Sequence, residues 1–147
     1  MKHTVAALVE DRPGVLNRVA SLFRRRGFNI DSLAVGTTEE AGISRMTIVV
    51  DGPEWVGDQV EKQLDKLIDV LTVETLSEDD AVVRELALIK VAARPDQRRE
   101  ILDIIEIFRA QVVDVSTTTV VVQLTAAAST QDALIENLRP LVKSWIQ

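Results

Sequence analysis

The junction Val9-Glu10-Asp11-Arg12-Pro13-Gly14-Val15-Leu16 constrains the fold of this chain more than any other stretch. A β-rich run from Thr4 to Val9 stops at the Pro-Gly pair. An amphipathic helix begins at once, with Val15, Leu16, Val19, Leu22 and Phe23 on one face. A helix N-terminus therefore faces a strand end, where unpaired backbone N–H groups and the positive end of the helix dipole favour a carboxylate or phosphate. A phosphate cradle of the GxxxxGK[ST] type needs more glycine and a lysine, whereas this turn offers one glycine, the adjacent Asp11, and apolar Val15 and Leu16. That mixture suits a small amino acid. Its carboxylate would meet the N–H groups near Gly14, its ammonium acidic or carbonyl oxygens, and its side chain apolar surface. The plainer alternative is a tight turn that only caps a helix.

The bulk properties narrow the function classes. A length of 147 residues allows one domain or two small ones, 46% hydrophobic residues suffice for a packed core, and a net charge of -6 favours solubility. No apolar run reaches roughly 18 residues, and Met1-Lys2-His3-Thr4 lacks a signal-peptide hydrophobic region, so a cytoplasmic location is expected. The absence of cysteine excludes disulfides, thiolate zinc sites and cysteine nucleophiles. His3, the one histidine, is expected at the frayed chain end, which leaves Ser-His-Asp chemistry and multi-histidine metal sites without a base or ligands. Carboxylates are plentiful, but most fall on helix faces or in loops such as Ser77-Glu78-Asp79-Asp80. No catalytic residue and no metal site is predicted, and the chain is expected to carry out no chemistry alone.

The hydrophobic periods give strand 4–10, helix 14–26, strand 29–36, strand 44–50, helix 53–68 and strand 70–76, a βαββαβ unit. The second helix carries a buried stripe of Val56, Val60, Leu64, Leu67 and Ile68, with Pro53 in its first turn. Helices cover one sheet face, and the Val, Ile and Leu on the other predict that it too is covered, by the second half or another chain. The acidic segment 77–81 reads as a linker between a domain at 1–76 and another at 82–147. In the second, strand 83–92, a helix after Pro95 with Ile101, Ile104, Ile105 and Phe108, strands 112–115 and 120–125 and a final helix repeat the order. Ser129 and Asp132 suggest a cap for that last helix, and Pro140 its end. Phe23-Arg24 recurs as Phe108-Arg109, and Ile30-Asp31 as Val113-Asp114. Aligning Leu64, Leu67 and Ile68 with Leu138, Leu141 and Val142 predicts a second unit truncated in its last strand. Its turn, Ala93-Arg94-Pro95-Asp96, has no glycine, so no equivalent ligand site is expected there.

The segments Arg26-Gly27-Phe28-Asn29-Ile30-Asp31-Ser32-Leu33, Ser44-Arg45-Met46-Thr47-Ile48, Lys62-Gln63-Leu64-Asp65-Lys66-Leu67 and Arg84-Glu85-Leu86-Ala87-Leu88-Ile89-Lys90-Val91, in this order, resemble the regulatory small subunits of acetolactate synthase (acetohydroxyacid synthase). The resemblance covers essentially the whole chain. It implies an α+β fold: an N-terminal ACT domain, a ferredoxin-like βαββαβ unit that senses amino acids, followed by a second ACT-like domain. It also implies a subunit with no activity of its own. Such a subunit activates a catalytic large subunit that uses thiamine diphosphate, Mg and FAD, and it mediates valine feedback inhibition in branched-chain amino acid biosynthesis. The effector sites of this family lie between two ACT domains, so a homodimer is implied. Asp11, Gly14, Val15 and Leu16 from one subunit, with Asn29 and Ile30 from the other, would line the site. The N–H groups beside Gly14 would hold the valine carboxylate, the Asn29 amide would add a hydrogen bond, and Leu16 and Ile30 would meet the isopropyl group.

Two other readings compete. Ferredoxin-like sheets that bind RNA stack bases on sheet aromatics, yet this chain has two Trp and three Phe, and Phe23 and Phe108 fit helix core positions. With a net charge of -6, Arg24-Arg25-Arg26 reads better as a solvated helix end or a contact with the catalytic subunit than as a nucleic-acid site. A free-standing ACT-domain sensor acting on another enzyme or a transcription factor would share the fold and ligand site, but would not need the second domain with Arg84 to Val91.

Overall fold

The computed structural model describes residues 1–146, with side chains to Leu141. Contacts divide the chain into two units, Met1–Ala81 and a second that begins at Val82. The first contains β1 (Lys2–Glu10), α1 (Val15–Arg26), β2 (Asn29–Thr37), β3 (Ile43–Asp51), α2 (Trp55–Asp65) and β4 (Val70–Leu76). Its sheet has the order β2-β3-β1-β4 with antiparallel neighbours throughout. Alternation decides which face is buried: Val5, Ala7 and Val9 of β1 and Met46, Ile48 and Val50 of β3 lie under α1 and α2. They pack with Val15, Val19, Leu22, Phe23, Val56, Val60 and Leu64, and Phe23 meets Phe28 edge-on at 5.8 Å. No element of this unit lies on the other sheet face, where Leu8, Thr47 and Val49 stay half-buried, so the expected second cover is not supplied from within the unit.

The second unit repeats the order with β5 (Glu85–Ala92), α3 (Arg98–Ile107), β6 (Gln111–Val115), β7 (Thr119–Ala126), α4 (Ala128–Leu138) and β8 (Val142–Ile146), in a sheet ordered β6-β7-β5-β8. The strand expected to be truncated is formed. It has five residues against seven in β4, and it pairs with β5 from Leu88↔Ile146 to Val91↔Val142. A register shift between Lys90 and Val91 matches the one between Leu8 and Val9 in the first unit. Both first helices also end alike. Gly27 (φ 70°) donates to the Arg24 carbonyl and Phe28 to that of Phe23; Arg109 (φ 56°) donates to Glu106 and Ala110 to Ile105. Phe23 therefore corresponds to Ile105, not to Phe108, and the bulged Asp31 to Val113, not to Asp114. Spacing of similar residue pairs misaligned the repeat because the left-handed cap, filled by Gly in one copy and Arg in the other, leaves no shared letter.

Local expectations failed where long-range contacts decide. His3 is buried: its Nε2–H is shared between the carbonyls of Gly52 (3.2 Å) and Pro53 (3.0 Å), and its ring lies where a Cβ on Gly57 would approach to 3.0 Å. α2 starts at Trp55, after Pro53, and stops at Asp65, which leaves Ile68 88% exposed rather than in the buried stripe. Ala127, with no side-chain bond, precedes α4, so Ser129 and Asp132 lie inside the helix instead of capping it. Past Leu138 the chain tightens into a 3-10 turn at Arg139–Leu141, where the Pro140 ring cannot continue an α-helix. Leu64→Ala should lower the stability of the first unit by about 3 kcal/mol, read from a urea transition, while Ile68→Ala should change it by less than about 0.5 kcal/mol.

Candidate functional site

The turn between β1 and α1 is held from two sides. The Glu10 N–H donates to the Asp69 carbonyl (2.9 Å), just before β4, and the Asp11 N–H donates to the Gly42 carbonyl (2.8 Å) of the β2–β3 loop. Gly14 sits before the first residue of α1 at φ 88°, ψ -11°, a left-handed conformation that glycine adopts without steric cost. Among the described residues no protein acceptor meets the amides of Gly14, Leu16 or Asn17, so the first turn of α1 presents its donors outward. Val15 is 3% exposed and belongs to the core, so it supports the turn from below; Leu16 is 47% exposed beside it. The Asp11 carboxylate is exposed and has no hydrogen-bond or ion-pair partner among the described residues.

Asn29 and Ile30 lie elsewhere. Asn29 pairs with Asp51, and Asp51 pairs with Lys2, whereas the turn follows Glu10, which pairs with Ile43. The two halves of the predicted site therefore stand at opposite ends of β1, on the order of 27 Å apart for a strand of this length. One chain does not bring them together. Beside them β2 is an open edge, paired only with β3, and Leu33 (41% exposed) and Val35 (49%) lie opposite buried Ile48 and Met46, on the helix side of the sheet but beyond the helices.

Three residues outside the sequence-based set organise the turn: Arg12, Arg18 and Asp69. The Asp69 carboxylate is 4% exposed and receives Arg18 Nε at 2.5 Å on one oxygen and Arg12 Nη2 at 2.8 Å on the other; Arg12 also reaches Glu10. The hydrogen bond from Arg18, opposed by burial and reinforced by the Arg18 charge and by Arg12, holds the Asp69 carboxyl below its ordinary value of 3.8. Arg18 also leans over the turn, its Nη1 lying 3.3 Å from where a Cβ on Gly14 would be. A cation thus stands beside the outward amides. The signal for Arg18 was available, since it lies one helical turn after Gly14 and so on the same side. Asp69, far along the chain, left none.

The corresponding turn of the second unit is built differently. Ala93 donates to Thr118 (2.8 Å) as Asp11 does to Gly42, but Asp96 stands where Gly14 would be, without a positive φ. Arg98, in the place of Leu16, folds its Nη2 onto the carbonyls of Ala93 (2.9 Å) and Ser116 (2.7 Å). That turn is latched by its own side chain.

A carboxyl with a lowered folded value contributes stability that is fully present above its unfolded value and is lost as pH falls through the folded one. Thermal melts should therefore show the wild type losing stability below about pH 4. Asp69→Asn should be less stable at pH 7 and have a flatter acid limb.

Both units resemble known proteins along nearly their whole length. Residues 5–72 match the ACT domain of the acetohydroxyacid synthase small-subunit type, and residues 84–143 match the small subunit of acetolactate synthase. The chain is 53% identical to a probable acetolactate synthase small subunit of Archaeoglobus fulgidus, over 95% of this chain and 87% of that one. It is 51% identical to the acetolactate synthase small subunit of Mycolicibacterium smegmatis, over 94% and 81%. The crystal structure of the acetolactate synthase small subunit from Thermotoga maritima superposes with a TM-score of 0.93 at 40% identity, over 99% of this chain and 92% of that one. With both halves matched and half of all residues shared along nearly its whole length, the chain belongs to the family of acetolactate synthase small subunits, regulatory partners of a catalytic enzyme.

Proposed function

We propose that this chain works in the cytoplasm as a homodimeric valine sensor that activates the catalytic subunit of acetolactate synthase and withdraws that activation when valine is abundant. The thiamine diphosphate, Mg and FAD of the reaction belong to the catalytic subunit. The observation that carries the dimeric site is the separation of its halves. Two copies joined antiparallel along their β2 edges would bring the turn end of one beside the Asn29 end of the other, and would cover Leu33 and Val35. The valine carboxylate then meets the amides of Gly14, Leu16 and Asn17, with the Arg18 cation beside them. The ammonium meets Asp11, the Asn29 amide of the second copy adds a hydrogen bond, and Leu16 and Ile30 contact the isopropyl group. An added methylene changes binding by only ~1 to 3 kcal/mol, so leucine and isoleucine bind more weakly rather than not at all. Valine regulates only to the extent that it binds the activating and less activating arrangements differently.

Acetolactate formation by the cognate catalytic subunit should rise on adding this chain and fall again across a valine titration. Gly14→Asp keeps a residue type that tolerates positive φ and puts a carboxylate against Arg18, so it should abolish inhibition while leaving most of the activation. Normal valine sensitivity in that variant would move the site elsewhere. Mixing Gly14→Asp and Asn29→Ala chains tests the division between subunits: each mixed dimer would hold one site with both defects and one with neither. Partial recovery of high-affinity valine binding is expected, and no recovery would overturn a site shared between the turn of one chain and the Asn29 end of the other.

A further inference from the structure

α1 carries Arg18, Arg24, Arg25 and Arg26 and no carboxylate, in a chain whose net charge is -6. Arg18 is committed to Asp69. Arg25 and Arg26, with Lys66 from the end of α2, line a groove of about 380 Å³ between the two helices; Leu22 and Leu67 supply its apolar surface and Gln63 an amide. None of these three cations has an ion-pair partner among the described residues, and Arg24 and Lys62 stand unpaired nearby. Cations in the last turn of α1 suit its dipole. That effect does not account for Lys66, which comes from the other helix, or for a concave surface that combines three cations with two leucines.

We propose that this groove docks an acidic segment of the catalytic subunit, one that presents carboxylates on either side of an apolar side chain. The inference rests on the regulatory-subunit reading and adds the surface it uses. Guanidinium groups pair with carboxylates in a bidentate fork, a half-apolar groove accepts the side chain between them, and the volume suits a few side chains rather than a domain. Being unpaired in the free chain, the cations surrender no internal partner on docking. The same helix that begins at the valine turn ends at this groove, so a shift of α1 on valine binding would reach the catalytic subunit directly.

The affinity of the full chain for the catalytic subunit, measured by biolayer interferometry at several salt concentrations, tests this. Arg25→Glu/Arg26→Glu/Lys66→Glu should weaken binding about tenfold or more and flatten its salt dependence. Arg25→Lys/Arg26→Lys, which keeps the charge but not the bidentate fork, should lose less affinity than the reversal and keep the wild-type salt dependence. Arg84→Glu/Arg94→Glu/Arg99→Glu, which changes net charge equally in the second unit, should bind the catalytic subunit as the wild type does. Valine binding by each variant alone, followed by calorimetry, should be unchanged and reports a folded sensor. Unaltered affinity in the groove variant, or an equal loss in both reversals, would overturn the docking surface while leaving the regulatory reading intact. A wild-type chain that binds no catalytic subunit would overturn both.

Discussion

The buried carboxylate of Asp69 is the contact on which the first unit's turn depends. It lies just before β4, its backbone carbonyl receives the last N–H of β1, and its two oxygens receive one arginine from the turn and one from the helix that follows. A carboxylate this deep is costly unless its lone pairs are met, and here charged donors meet both oxygens. The consequence is positional. Arg12 can reach Asp69 only if the turn lies against the sheet, and Arg18 only if α1 starts where it does. The outward amides of α1 and the cation over Gly14 thus follow from one anchoring acid.

The chain is two copies of one unit that solve the same junction in opposite ways. In the first, glycine opens the turn and the arginines are drawn towards Asp69; in the second, Arg98 turns back onto two carbonyls and occupies the space beside its own helix start. The strand order, the register shift beside the fourth strand and the left-handed helix end are shared. The difference between the two turns comes down to the side chain that follows the loop: Leu16, exposed beside the helix start, or Arg98, tied to two loop carbonyls.

Much of this was legible in the sequence because it is local. Periodicity found each helix and every strand except β8, and Asp11-Arg12-Pro13-Gly14 announced a turn with outward donors, since proline and glycine act within a few residues. What was not legible depends on partners distant along the chain. His3 looked frayed because nothing near it in sequence predicts the carbonyls of Gly52 and Pro53, or the space that Gly57 leaves for its ring. Ile68 fitted the helical stripe by spacing, but α2 ends before it. The last strand begins sooner after its helix than β4 does, since Val142 pairs with Val91 as Val70 does with Val9, and a helix alignment cannot reveal a shortened connection; Asp69 has no neighbour in sequence that marks it as an anchor.

The placement of the turn and of Asn29 at opposite ends of β1 has a consequence for how the molecule would respond inside a cell. A ligand pocket divided between two chains exists only as often as the chains meet, so occupancy depends on subunit abundance as well as on effector concentration. By the same linkage an effector bound in such a pocket would tighten the pairing that creates it. Scarce subunit would then read a given effector level as low, and abundant subunit would read the same level as high, so that a site divided in this way would make the abundance of the regulatory chain part of its set point.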